Sequence, residues 1–186
     1  MIITLAGLPG SGKTTQVKLL SEKLGFPWYS IGDMRGKMAQ ERGITIDELN
    51  KIGLKEAFTD KDVDEYQQKL GIREDNFVID GWLSWHFIPH SLKIFLTVDP
   101  EIAAERIYKE GRHGVHADEP EYHSVQETKE ILAERVENSR ARYQKYYQVD
   151  FLNPENFDLV INTTNISPEE VFAKIMEAKK IKETAL

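Results

Sequence analysis

Gly7-Leu8-Pro9-Gly10-Ser11-Gly12-Lys13-Thr14 follows directly on the apolar run Ile2-Ile3-Thr4-Leu5-Ala6 and gives way at once to a helical pattern through Val17, Leu19, Leu20 and Leu24. A glycine-rich turn with a strand before it and a helix after it is a P-loop in its proper context. The glycines let the backbone curl so that successive N–H groups converge on a phosphate, and the helix N-terminus adds the positive end of its dipole. Lys13 supplies a mobile charge for the outer phosphates, and Thr14 offers its hydroxyl to Mg²⁺. The cradle is read over Gly7 to Thr15, and the expected ligand is a nucleoside triphosphate, ATP, with Mg²⁺.

The chain has 186 residues, 40% of them hydrophobic, enough for one sizeable core and within the usual single-domain range. The absence of cysteine removes a disulfide framework and thiolate metal sites. The chain opens on a strand rather than on a charged segment with a cleavage site, and no apolar stretch approaches the roughly 20 residues of a membrane helix. A cytoplasmic protein without a membrane span is expected. A net charge of −7 disfavours a broad nucleic-acid surface, so phosphate must be drawn by local arginines and backbone amides. A small-molecule partner and a monomer are expected.

Apolar runs at 2–6, 77–79, 92–98 and 159–161, with a weaker one at 28–31, alternate with helical patterns at 13–24, 33–42, 46–58, 62–70, 100–110, 124–147 and 168–182. Asp99-Pro100 and Ser167-Pro168 each place an N-cap residue before a proline at the first helical position. Strands alternating with helices predict parallel βαβ units, hence a three-layer α/β sandwich around a five-stranded parallel sheet. No repeat or Gly/Ser-rich linker marks a second domain. A single domain over 1–186 is expected, with a helical insert at 32–70 and a polar, glycine-bearing lid at 110–123.

Phe77-Val78-Ile79-Asp80-Gly81 is an apolar strand ending in an acid, which places a carboxylate at the strand's C-terminal edge, where open α/β sheets bind ligands. Asp80 there suits a site near Mg²⁺, against the alternative that it caps a turn before Gly81. Ser30-Ile31-Gly32-Asp33-Met34-Arg35 closes the second strand and opens the insert, with backbone amides able to hold a second anion. Arg135, Ser139 and Arg142 are spaced i, i+4, i+7 and share one helical arc beside Leu132, Val136, Tyr143 and Tyr147. This puts two guanidinium groups at the edge of a buried face, suited to bidentate contact with phosphate; the alternative is a solvated helix laced with Glu134, Glu137 and Arg140 pairs.

A strand-first P-loop, a Ser-x-Gly-Asp turn, a helical insert, a strand ending Asp-Gly and a long arginine-bearing helix together resemble a nucleoside monophosphate kinase. The closest resemblance is to the compact archaeal-type cytidylate kinases, over almost the whole chain. Ala39-x-Glu41-Arg42-Gly43, Glu105-Arg106-Ile107 and Asp158-Leu159-Val160-Ile161-Asn162-Thr163 are similar to that family as well. The resemblance implies that 32–70 binds the monophosphate and that 110–123 is a short lid. It implies that Arg106 packs on the triphosphate side and that Arg135 and Arg142 contact phosphates. Arg112, at the lid's edge, brings positive charge over the transferring group, although Arg106 and Arg112 each also read as surface ion pairs.

Three positions depart from the family pattern. Gly36 stands where an arginine is usual, with Arg35 one step early, a rotation of about 100° on a helix. Trp82 follows Asp80-Gly81 where cytidylate kinases carry an arginine, and Ser139 stands where the bacterial pattern has an acid. Trp82 and Trp85 read either as core or as a stacking surface for a base. His113, His116 and His123 with Asp118, Glu119 and Glu121 match no compelling metal frame and read as a solvated loop.

The reading is an ATP- and Mg²⁺-dependent transfer of a phosphoryl group to a nucleoside monophosphate, CMP or dCMP, giving the diphosphate. Lys13, Arg106, Arg112, Arg135 and Arg142 would serve the transition state, with Ser30, Gly32, Asp33, Arg35, Asp80, Gly81, Trp82 and Ser139 lining the acceptor. Thr14 and Asp80 would serve the metal. The alternatives are a P-loop kinase for another small molecule, such as a different nucleotide, a sugar acid or a cofactor precursor, and a P-loop ATPase acting as a nucleotide-gated binding module.

Overall fold

A computed structural model describes residues 1–56, 58–110 and 122–184. The proposed lid, with Arg112, His113, His116, Asp118, Glu119 and Glu121, lies almost wholly outside the described residues. By internal contacts the chain forms two compact units, one of Met1–Ser30, Gln67–Val98 and Asn153–Leu186, the other of Ile31–Tyr66 and Asp99–Leu152.

The first unit holds the sheet. Strands β1 (Ile3–Gly7), β2 (Trp28–Ser30), β3 (Val78–Asp80), β4 (Leu92–Thr97) and β5 (Leu159–Asn162) lie in the order β2-β3-β1-β4-β5. Every pairing is parallel. The run β1 is buried along its whole length, as a central parallel strand covered on both faces requires. Alternation divides it: Ile3 and Leu5 join a core with Val78, Leu92, Ile94, Leu96 and Ile161. Val17 and Leu20 of α1 (Lys13–Leu24) and Val171 and Ile175 of α8 (Pro168–Thr184) complete that core. Each such side chain contributes about 1.5–3 kcal/mol through burial. Elsewhere in the unit Phe95 packs on Phe157, which meets Trp85 edge-on, and the buried hydroxyls of Thr4 and Ser91 bond at 2.9 Å.

The register aligns Leu5 with Asp80 and Ser30 with Asp80, so β1 runs two residues beyond β3 at the C-terminal edge. The P-loop and Asp80 therefore leave neighbouring strands on one edge. The strand order makes this the place where connections change direction across the sheet, the usual ligand crevice of open α/β sheets.

The second unit is helical: α2 (Ile31–Glu41), α3 (Ile46–Gly53), the start of α4 (Phe58–Arg73), α6 (Pro100–Lys109) and α7 (Val125–Tyr147). Local chemistry starts these helices. Thr45 and Glu48 form a capping box on α3, Asp99 accepts from Glu101 N before Pro100, and Ser124 accepts from Glu127 N at the head of α7. Ile107, Tyr122 and Leu132 join α6 to α7 in a small apolar cluster.

Three helices depart most from the sequence reading. The pattern expected as one helix over 46–58 stops at Gly53, a poor helix former, and the helix expected at 62–70 instead runs from Phe58 to Arg73. The second helix begins at Ile31 rather than residue 33. The turn of helix α5 (Ser84–Phe87) and the 3₁₀ turn Pro154–Asn156 are too short to show a period.

Candidate active site

In the first unit the P-loop is set by glycines. Gly10 and Gly12 have φ of 72° and 85°, left-handed values that side chains resist, and Gly12 is the N-cap of α1. A Cβ at Gly7 would lie 2.5 Å from Leu96 O, so no larger residue fits there. Thr163 Oγ1 donates to Ser11 O at 3.1 Å and to Thr97 O at 3.0 Å, tying the loop to the ends of β4 and β5. Lys13 Nζ donates to Gly7 O at 2.9 Å and Leu8 O at 3.0 Å, folding across its own loop.

The residues of this loop fit a Mg²⁺-bound triphosphate. Ser11 Oγ is buried with no hydrogen-bond partner among the described residues, and such a group calls for a ligand. Thr14 is exposed at the start of α1, and the carboxyl of Asp80, 5% exposed, ends β3. Gly81 N donates to Leu5 O and fixes the turn after Asp80. Trp82 Nε1 donates to Gly7 O at 2.9 Å, and Trp85 Nε1 donates to Trp82 O at 3.0 Å. Trp85 is buried against Phe157, which settles it as core; Trp82 is half-buried with its indole N–H on the loop.

In the second unit two arginines converge. Arg35 of α2 pairs Nη1 with Asp60 Oδ1 at 2.5 Å, and Arg142 of α7 brings Nε to 3.2 Å from Asp60 Oδ2. Asn50 Oδ1 accepts from both, from Arg35 Nη2 at 3.1 Å and Arg142 Nη1 at 3.0 Å. Arg142 Nη2 also reaches the Tyr143 hydroxyl at 3.1 Å. The Nε contact with Asp60 is close but too skewed for a hydrogen bond, so that buried N–H is left without one. Burial and the charge of Arg142 lower the Arg35 guanidinium from its ordinary value, against the pull of Asp60.

Asp64 lies at the rim of this cluster, bonded by the Tyr147 hydroxyl. Burial, with the neighbouring charge of Asp60, pushes its carboxyl up to about 6 despite that bond, and burial next to Asp64 raises Tyr147 in turn. Arg135 is held apart from the cluster, clasping Asp47 through Nε at 2.8 Å and Nη2 at 3.0 Å.

A model of the cytidylate kinase-like family matches residues 2–165. The chain belongs to that family. It is 34% identical to the cytidylate kinase of Methanobrevibacter smithii, over 97% of this chain and 99% of the relative. It is 33% identical to the cytidylate kinase of Archaeoglobus fulgidus, over 98% of each. Among solved structures, shikimate kinase from Aquifex aeolicus superposes with a TM-score of 0.58 at 22% identity, covering 100% of this chain and 99% of that one; it shares the α/β P-loop kinase fold.

Measured against that family, the sequence-expected residues fall into groups. Gly7 to Thr15, Asp80, Gly81 and Trp82 come together in the first unit. Arg35, Ser139, Arg135 and Arg142 belong to the second, with Gly32 and Asp33 exposed at the start of α2 and Arg106 half-buried on α6. One expectation is corrected: Arg142 is not an edge group but 1% exposed, because Asp60 and Asn50 from two other helices close over it. The spacing on α7 identified the face and could not show what packs there. Asp60, Asn50, Asp47 and Asp64 were missed, since acids and amides scattered along two helices carry no motif.

Proposed function

We propose that this member of the cytidylate kinase-like family transfers the γ-phosphoryl group of ATP to CMP or dCMP. The observation that carries the reading is the P-loop itself: left-handed Gly10 and Gly12, an orphaned Ser11 hydroxyl and a lysine lying across the cradle. Full-length similarity to cytidylate kinases favours transfer to a nucleoside monophosphate over the ATPase alternative.

Backbone amides of the loop and Lys13 would bind the phosphates, Lys13 exchanging its loop carbonyls for phosphate oxygens. Thr14 and Asp80 would hold Mg²⁺, which when bound offsets charge on the phosphate oxygens. On the acceptor side, Arg35 and Arg142 gather two guanidinium groups beside Asp60, with Asp64 at the rim of the cluster. Guanidinium forks bind phosphate oxygens bidentately, and Arg35 is proposed to stand in for the arginine missing at position 36. Arg135, Arg106 and Arg112 are proposed to add charge to the transition state, with Ser139 near the acceptor. An acceptor phosphate is already nucleophilic, so positioning and electrostatics suffice. Among the described residues no helix is long and apolar enough to cross a membrane; a cytoplasmic location is part of the proposal.

A coupled assay with ATP, Mg²⁺ and each of CMP, dCMP, UMP, AMP and GMP tests the proposal. The expected result is diphosphate formation fastest with CMP or dCMP and well above acceptor-free hydrolysis. Hydrolysis exceeding transfer with every acceptor would overturn it.

A further inference from the structure

The carbonyl of Gly7, a buried residue, lies at the end of β1, beyond the bond from Gly81 N to Leu5 O that joins β1 to the β3 edge. It accepts from two side chains, Lys13 Nζ at 2.9 Å and Trp82 Nε1 at 2.9 Å. The other carbonyl under Lys13, Leu8 O, is likewise doubly served: it accepts from Lys13 at 3.0 Å and from Ser11 N at 3.2 Å. Both of these loop carbonyls therefore have a second donor besides Lys13.

That duplication matters because Lys13 has two tasks. Without nucleotide it bonds the loop; with a triphosphate present it must turn to the phosphates. Leaving a buried carbonyl unpaired costs more than an ordinary hydrogen bond is worth, so a lysine that alone satisfied Gly7 O would be held in the loop and nucleotide would bind more weakly. Trp82 is well placed to prevent this. Its own carbonyl accepts from Trp85 Nε1 at 3.0 Å, and Trp85 is packed on Phe157, so the segment bearing the indole is anchored. The indole offers one donor and no charge. It can hold the carbonyl without competing for phosphate, as an arginine in the same place would.

We infer that Trp82 is a positioning residue for nucleotide binding: its indole N–H keeps the Gly7 carbonyl bonded when Lys13 leaves for the triphosphate. The inference rests on the proposed role of Lys13 at a bound triphosphate, and the experiment separates the two.

Trp82→Phe keeps the ring and removes the donor. In the absence of nucleotide Lys13 still covers Gly7 O, so the melting temperature should change little. Affinity for a non-hydrolysable ATP analogue with Mg²⁺, measured by titration calorimetry without acceptor, should fall about tenfold or more. In a Lys13→Ala background the indole is the remaining side-chain donor, and there Trp82→Phe should lower the melting temperature of the nucleotide-free protein. Equal destabilisation in both backgrounds with unchanged analogue affinity would make the indole merely structural. Coupled melting with unchanged affinity would also overturn the inference, leaving the kinase reading intact. No analogue binding by the unsubstituted protein would instead remove the reading beneath it.

Discussion

Lys13 and Asp60 carry opposite kinds of importance. Lys13 is half-buried and its two acceptors have other donors, so removing it should leave the fold standing while removing a preorganised charge from the phosphates. Lys13→Ala is expected to reduce phosphoryl transfer by ~10²-fold or more, measured as kcat/KM, with melting little altered. Near-normal turnover would take the loop out of the mechanism. Asp60 is 4% exposed and is the shared anion of two buried arginines. Asp60→Ala strands both charges and should cost about 3–5 kcal/mol in denaturant unfolding, the range for breaking a buried ion pair. Arg135→Ala, which opens a largely buried bidentate pair with Asp47, should cost less than Asp60→Ala, about 1–3 kcal/mol, and also lower kcat. Equal losses of stability for Asp60→Ala and Arg135→Ala would deny the cluster its central place.

Helices α4 and α7 meet at a pair of groups whose titration the sequence does not reveal, the Asp64 carboxyl and the Tyr147 hydroxyl. Because the folded-state value of Asp64 lies near 6, above its ordinary 3.8, the folded protein binds more protons than the unfolded chain between those values. Stability from this group is therefore present at low pH and is lost as pH rises through about 6. Asp64→Asn keeps an acceptor for Tyr147 and removes the charge. Its melting temperature relative to the parent should rise between pH 4 and pH 7, and a pH-independent difference would count against the shift. Which parts of such elements are legible follows from what fixes them. Helix α1 was read at its observed bounds because a glycine-rich loop precedes it and Gly25, at φ 69°, stops it. Helix α2 was read two residues late: it begins at Ile31, directly after Ser30, a favoured N-cap residue that the reading assigned to the turn. The P-loop turn between β1 and α1 was legible because its residues are contiguous in sequence. The arginine cluster was half legible: Arg142 lay on the right arc, but Asp60 and Asn50 reach it only through tertiary packing.

At the scale of the whole molecule, a chain of net charge −7 must bind polyanions through local features, so ligand selectivity should be visible as ligand-dependent stability. A ligand at a hundred times its dissociation constant stabilises a protein by about 2.7 kcal/mol, roughly 5–10 °C for a chain of this length. Each nucleoside monophosphate, tested with and without a non-hydrolysable ATP analogue and Mg²⁺, therefore gives a readout independent of turnover. The expected order places CMP and dCMP above UMP, with AMP and GMP least, and the analogue adding to the pyrimidine shift. On the proposal that Arg35 serves in place of the arginine missing at 36, Trp82 in place of the one after Asp80-Gly81 would leave one fewer cation for the acceptor phosphate than the family pattern has. The monophosphate shift should accordingly need higher ligand concentrations than it does for relatives that carry both arginines, and it should weaken further in Arg35→Ala. A larger shift with a purine monophosphate would reassign the acceptor while leaving the P-loop fold untouched, and no shift with any monophosphate alongside a clear shift with the ATP analogue would move the acceptor outside nucleotides altogether.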